Sequence, residues 1–361
     1  MKSVLRIAVA LIFIASGFVK AVDVVGFSFK LEEYFSPTVF NMPFFESIAL
    51  PIAILVVALE LVLGFLLLLK IRLRFSLAAL IALCIFFAFL TFYSAYFNKV
   101  TDCGCFGDAI KFTPWQSFFK DIILLLGLIV LWLLYRNSFG LLQLKRPAKY
   151  IVFSVLVITM GLITIHGILH EPLIDFRDYK IGTDLKEEKI KIEKNPSEYK
   201  TFYSLKNQKT SEVIEVNQDE YVNDKKYWEE GSPWKIEDGK TSSKIVKEGY
   251  SSEIAKFKPE TSEGIDLTIE IINAPKAILV FSYDPKNADA QLIRETEYNL
   301  LSQKNTYVLG ISTDPNTFKT IKNALMDGTA IKTIARSNPF VVVLENGKIV
   351  SKMSAKDYLK Q

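Results

Sequence analysis

The sequence predicts a membrane α-helical bundle of about five transmembrane helices followed by a soluble α/β domain. Three observations carry that expectation. Half of the 361 residues are hydrophobic, yet the long runs of Leu, Ile, Val, Phe and Ala all fall in residues 1–170. Residues 171–361 are dense in Lys, Glu, Asp, Ser and Thr, so a boundary is expected near Pro172. The final stretch then alternates strand-like and helix-like patterns separated by turn residues. A net charge of +4, with bases and acids intermixed, argues against nucleic acid as a partner.

A helix rises about 1.5 Å per residue and needs about twenty apolar residues to cross the hydrocarbon core. The runs Val4–Val22, Ile48–Leu69, Phe75–Phe97, Phe118–Tyr135 and Tyr150–Leu169 meet that length. Inside a bilayer each must be helical, because only a helix satisfies its own backbone polar groups. Lys2 and Arg6 before the first run also fit a signal peptide, but no small-x-small cleavage site follows, so an uncleaved span is expected. Lys70, Arg72 and Arg74 follow the second run, and Arg136, Lys145, Arg146 and Lys149 follow the fourth. The excess of bases in these loops and at the N-terminus places all three in the cytoplasm. The loops after the first and third spans, and the C-terminal domain, then lie outside. The expected location is the cytoplasmic (inner) membrane, with an extracytoplasmic, periplasmic C-terminal domain.

The chain has three cysteines, Cys84, Cys103 and Cys105, none in the soluble half, which excludes a disulfide-stapled scaffold there. Cys103 and Cys105 flank Gly104 in the outer loop Thr101–Asp108, where oxidising conditions permit a disulfide. A bond across one residue needs a tight ring, and Gly104 reaches backbone angles closed to other residues. Strained, exposed disulfides are readily reduced, which suits a pair that exchanges electrons with a partner. A passive disulfide or an incidental turn remains open. Cys84, within the third span, reads as a small hydrophobe. Glu60 falls near the middle of the second span, where an ionisable group is costly and by default functional. It is expected to relay a proton or hold a headgroup, with Lys20 or Asp121 as partner, or to sit neutral against a neighbouring helix. The two histidines, His166 and His170, share one helix face, so a metal site with Cys103 and Cys105 is a further alternative.

Phe13-Ile14-Ala15-Ser16-Gly17-Phe18-Val19-Lys20, Glu60 followed by Leu63-Gly64, and Asp102-Cys103-Gly104-Cys105-Phe106-Gly107 resemble the DoxX and MauE (methylamine utilisation) membrane families. The resemblance covers residues 1–140 and implies a compact four-helix core, to which a fifth helix in residues 141–170 is added. For the MauE branch it implies maturation of a disulfide-rich enzyme subunit outside the cytoplasm, beside a thioredoxin-like partner. For the DoxX branch it implies quinone-coupled sulfur oxidation, which makes a quinone the candidate cofactor; the residues themselves specify none.

Residues 171–265 read as an extracytoplasmic linker or β-rich segment, too aromatic for simple disorder, with a strand pair across Thr201–Val216. In residues 266–361, strands are expected at Ala277–Tyr283, Thr306–Ser312, Phe340–Leu344 and Lys348–Lys352, the last two joined at Asn346-Gly347. Helices are expected in Lys286–Gln303, Pro315–Leu325 and Ala355–Lys360. This order, with Pro339 just before the third strand, resembles a thioredoxin-like domain, in which that proline is usually cis. The departure is chemical. The strand–helix junction reads Ser282-Tyr283-Asp284-Pro285-Lys286-Asn287, with no cysteine, so the domain cannot exchange thiols and is expected to dock or present a client.

The leading expectation is a membrane-bound thiol–disulfide redox or protein-maturation component. Cys103, Cys105 and Glu60 would carry the chemistry, and an extracytoplasmic thiol protein or thioredoxin-like protein would be the partner. The alternatives are a non-enzymatic assembly scaffold with a fixed disulfide and a metal-handling membrane protein.

Overall fold

The computed structural model describes residues 2–97, 99–100, 104, 106–138, 147–237, 239–247 and 249–361. They form two compact units, one of residues 1–182 with 259–361 and the other of residues 183–258.

The apolar half forms α1 (Lys2–Val22), α2 (Val24–Phe35), α3 (Pro43–Ser47), α4 (Ala49–Leu69), α5 (Leu73–Phe97), α6 (Pro114–Tyr135) and α7 (Pro147–Leu169). Five of these, α1, α4, α5, α6 and α7, are long and apolar enough to cross a membrane. The short helix α2 was not expected, because its polar residues hide a buried face made by Val24, Phe27, Leu31 and Tyr34. Leu67, Leu77, Leu80, Leu128 and Leu131 fill one core between the long helices, and Ala53, Val57, Leu61 and Phe65 fill a second with α2. Outward-facing Ile123, Leu126, Ile158 and Leu162 are exposed, as side chains bathed by lipid would be. The fifth span α7 packs on α1 and α4, where a Cβ on Gly167 would stand 2.5 Å from the Val22 carbonyl oxygen. At one end of the bundle Lys2 and Lys70 both lie over the Tyr135 ring, and Arg6 donates to the Leu67 and Leu68 carbonyls. The α1–α2 corner and the start of α6 lie at the other.

The second unit begins with α8 (Leu185–Lys194), capped by Asp184. The expected strand pair is present as β1 (Glu198–Asn207) and β2 (Val213–Asn217), antiparallel and followed by α9 (Gln218–Asn223). The other side of β1 pairs with β3 (Trp234–Ile236) and β4 (Ser242–Lys247). Tyr203, Tyr221, Tyr227 and Trp234 contact one another in sequence, tilted, stacked and edge-on in turn, which explains the aromatic density of the segment.

The last elements are α10 (Thr268–Asn273), β5 (Lys276–Ser282), α11 (Ala290–Leu301), β6 (Tyr307–Ser312), β7 (Asn323–Leu325), α12 (Gly328–Ile334), β8 (Phe340–Glu345), β9 (Lys348–Ser354) and α13 (Ala355–Tyr358). They make a soluble α/β domain with sheet order β7-β6-β5-β8-β9. Strands β7, β6 and β5 run parallel, β8 pairs antiparallel with β5, and β9 pairs antiparallel with β8. The Asn338–Pro339 bond is cis. Asn346 and Gly347 both take positive φ in the β8–β9 turn, as a two-residue hairpin requires.

One expected element fails. Residues 315–325 are not a helix but an irregular connection ending in β7. The reason is tertiary. The buried Glu297 carboxylate on α11 accepts the backbone N–H groups of Lys319 and Thr320, both at 2.7 Å, and of Ile321 at 3.3 Å. Phe318 meanwhile buries against Gly310, where a Cβ would come within 2.3 Å of the ring. The helix moves downstream to α12, capped by Asp327.

Candidate functional site at one end of the bundle

The α1–α4 crossing is close because both helices present glycine. A Cβ on Gly17 would meet Leu61 Cγ at 2.9 Å, and one on Gly64 would meet Ile14 Cγ1 at 2.9 Å. One turn beyond Gly17, Lys20 Nζ lies 2.8 Å from Glu60 Oε2 and donates to Ser16 Oγ at 2.7 Å. Both side chains are only 3% exposed, so this is a buried ion pair. Of the two partners expected for Glu60, Lys20 is the one that pairs with it.

The pair faces a cavity of about 610 Å³ of empty space, including its open mouth, between α1, α2, α4, α5 and α6. On the opposite wall Asp121 pairs with Lys120 at 2.8 Å and accepts from Thr91 at 3.3 Å. Asp121 and Glu60 thus share the cavity without touching. Cys84 is buried there, its thiol donating to the Asp121 carbonyl at 3.2 Å. Lys20 also lies over the Phe27 and Phe87 rings, and Phe27 and Lys30 line both this cavity and a smaller one beside Asp23 and Asp108.

Cys103 and Cys105 lie outside the described residues, as does Asp102. Gly104, bonded to both cysteines, is described: it is buried, with φ of +63°, in the left-handed region. A Cβ there would meet Lys30 Cγ at 3.0 Å, so the Lys30 stem lies directly on the residue between the two cysteines. Gly107 also takes positive φ and closes on the Gly104 carbonyl at 3.0 Å. The expectation for Gly104 therefore holds in its backbone. Lys30 was not legible beforehand, since α2 itself was missed.

The α/β domain closes over this end. Arg336 Nε donates to both carboxylate oxygens of Asp23 at 2.8 Å, and another Arg336 nitrogen reaches Asp108 at 2.8 Å. Asp23 at the same time caps α2 by accepting from the Gly26 N–H at 2.9 Å. Glycine at position 26 leaves room for this contact, because a Cβ there would lie 2.7 Å from the Arg336 guanidinium. Lys332 pairs with Glu32 at 2.7 Å, and Phe29 meets Tyr283 edge-on at 5.2 Å. Tyr283 and Arg336 belong to the β5–α11 junction and to the loop leading to Pro339, so that end of the domain rests on α2. Burial opposes charge on Asp23, but the Arg336 and Arg177 guanidinium groups outweigh it and hold its carboxyl below the usual range. Burial instead raises Asp108, with the charge of Asp23 adding to the shift against the pull of Arg336.

The His166 and His170 rings meet at a tilt with centroids 5.0 Å apart, and His170 Nδ1 lies 2.9 Å from Asp357 on α13. That contact ties the end of α7 to the α/β domain. Among the described residues no group of three or more His, Cys, Asp and Glu side chains is arranged to hold a metal ion.

Five helices long and apolar enough to span a membrane, a buried Lys–Glu pair between α1 and α4, and an α/β domain at one end define a multi-pass membrane protein. Residues 1–134 match the family model described as methylamine utilisation protein MauE. No curated protein and no solved structure matches the chain.

Proposed function

We propose that the protein is a membrane-bound thiol–disulfide component that matures extracytoplasmic proteins, with Cys103 and Cys105 as its working pair. One observation carries the reading: Gly104 lies in a left-handed turn against Lys30, where the Lys20–Glu60 cavity and the Tyr283–Arg336 end of the α/β domain converge. In the forward direction a client dithiol is oxidised to its disulfide while the Cys103–Cys105 disulfide is reduced to two thiols. A client thiolate attacks one sulfur, the other leaves as thiolate, and a second client thiolate resolves the mixed disulfide. Two electrons and two protons then pass to an acceptor, for which a quinone reduced to its hydroquinone balances. Glu60 and Lys20 are the groups in the bundle suited to handling those protons.

The base-rich loops support an orientation with the N-terminus in the cytoplasm and residues 98–113, with the α/β domain, outside the cytoplasmic membrane. The sheet order and the proline loop before β8 support reading residues 266–361 as a thioredoxin-like scaffold. Lacking cysteine, that scaffold holds the redox loop and presents a client or a separate thioredoxin-like protein to it. Residues 1–140 and 141–170 act as one membrane module in this reading, and 171–265 as the extracytoplasmic segment between it and the scaffold.

Trapping tests the proposal. Cys105→Ser should leave Cys103 in a mixed disulfide with a client, recoverable from membranes and released by reductant. Absence of a trapped partner from both single-cysteine variants, with the parent pair permanently oxidised, would instead favour a scaffold with a fixed disulfide.

A further inference from the structure

We propose that the base-rich end of the bundle holds the phosphate of an acidic phospholipid between Lys2 and Lys70, an assignment independent of the cysteines. Charge is distributed unevenly along the spans. The sequence has no Asp or Glu in residues 1–22, 61–101 or 122–170. Those stretches supply the helix termini that gather here: the starts of α1, α5 and α7 and the ends of α4 and α6. They carry Lys2, Arg6, Lys70, Arg72, Arg74 and Arg136. Among the described residues none of these cations is paired with a carboxylate. Glu60, the nearest acid along α4, lies more than two turns from Lys70 and is already paired with Lys20 at 2.8 Å.

Folding turns this excess into a site. In the turn between α4 and α5, Lys70 and Arg72 take positive φ, +57° and +42°, on either side of the buried Ile71. Side-chain-bearing residues reach that region at a cost. Burial of Ile71 and the Ser76 hydroxyl, which donates to the Ile71 carbonyl at 3.0 Å, hold the turn in place. The Lys70 ammonium then lies 5.4 Å from the centre of the Tyr135 ring, and the Lys2 ammonium lies 5.4 Å from the same centre. The two nitrogens are therefore separated by at most twice that distance. Arg6, one turn along α1 from Lys2, donates to the Leu67 and Leu68 carbonyls just before Lys70. An aromatic ring attracts an ammonium only weakly and cannot neutralise two. A phosphodiester brings a full negative charge and two free oxygens, each able to accept from a lysine. Apolar tracks leading away from the ring favour a lipid over free phosphate. Val4, Ile7 and Leu11 on α1, and Leu133, Val130 and Leu126 on α6, are exposed at helical spacing. From Lys2 to Leu11 the helix covers about 14 Å, close to the depth of one leaflet.

The test is native mass spectrometry of the full-length protein, released from micelles holding equimolar dioleoyl phosphatidylglycerol and dioleoyl phosphatidylcholine. The parent should retain phosphatidylglycerol in preference. Lys2→Gln with Lys70→Gln should weaken that retention on the order of thirtyfold, about fivefold per lysine. Lys2→Arg with Lys70→Arg keeps both charges and should keep the preference. Arg74→Gln with Lys149→Gln removes the same charge from the same end and should weaken retention by less than about threefold, since solvent and salt screen charges outside the site. Should the paired Gln variant fail to fold, Lys2→Gln alone, a change at an exposed side chain, should still show the loss of about fivefold. Equal retention of the two lipids by the parent overturns the assignment. So does a control pair that weakens retention as much as the Lys2 and Lys70 pair, because the charge would then act as a diffuse field. Inorganic phosphate that raises the thermal midpoint as far as phosphatidylglycerol does would overturn the lipid in favour of a free anion.

Discussion

Lys20 and Glu60 show how much one buried contact can decide. Neither charge belongs in hydrocarbon alone, and each is tolerated because the other stands 2.8 Å away at a crossing that Gly17 and Gly64 bring close. Lys20→Met leaves a buried carboxyl without its cation and should destabilise the bundle by about 3 kcal/mol, read as a lower thermal midpoint in detergent. Lys20→Met with Glu60→Met replaces both charges by apolar volume and should restore most of that stability. If Glu60 handles protons for the thiol pair, the double variant will be folded yet unable to reoxidise Cys103 and Cys105. A double variant that reoxidises at the parent rate would reduce the pair to a structural role.

At the scale of elements, two junctions depend on a side chain reaching across. The first is Arg336 between the α/β domain and α2. Asp23, held below the usual carboxylate range and capping the helix, should matter more than Asp108, which burial raises. Asp23→Asn is expected to cost on the order of 3 kcal/mol and Asp108→Asn about 1 kcal/mol, with hydrogen exchange in α2 rising more in the former. Gly26→Ala should mimic the loss of Arg336 by crowding its guanidinium, although it removes no polar group. The second junction is Glu297 beneath residues 319–321. Glu297→Ala strands three backbone donors and should cost about 2–4 kcal/mol in denaturant unfolding, with Glu297→Gln retaining part of the loss because it keeps one acceptor oxygen.

Across the whole molecule, α7 is joined to the α/β domain by a buried charged cluster in residues 171–182. Arg177 contacts Glu171, Asp175 and the Ile334 carbonyl, and Lys352 on β9 reaches Asp175 at 2.7 Å. Burial opposes the charge on Asp175, but Arg177 and Lys352 hold its carboxyl well below the usual range. Its contribution is therefore complete above about pH 4 and is lost as pH falls through the depressed value. Lys352 moves the other way: burial and the Arg177 charge push it down to about 8 despite Glu171 and Asp175. Between about pH 8 and 10.5 the folded state has released a proton that the unfolded chain still holds, so this group adds stability as pH rises through that window. Thermal midpoints of parent and Lys352→Met should diverge over that range, the parent gaining relative to the variant. Parallel curves would show that Lys352 titrates normally.

Local patterning along the chain was enough for the five spans, the soluble α/β half, the hairpin turn at Asn346-Gly347 and the place of Glu60 within an apolar helix. Each of these rests on physics local to a segment: the length of an apolar run, strand period, turn chemistry, or the cost of a charge in hydrocarbon. Tertiary structure alone decided which lysine meets Glu60, because that depends on how α1 crosses α4. Only packing made α2 a helix with a buried face, turned residues 315–325 away from helix, and laid Lys30 on Gly104. Arg336 could not have been matched to Asp23 from sequence, since more than three hundred residues separate them and no periodicity links the two. Contacts of that range are fixed by the meeting of surfaces, and a surface exists only once the chain has folded.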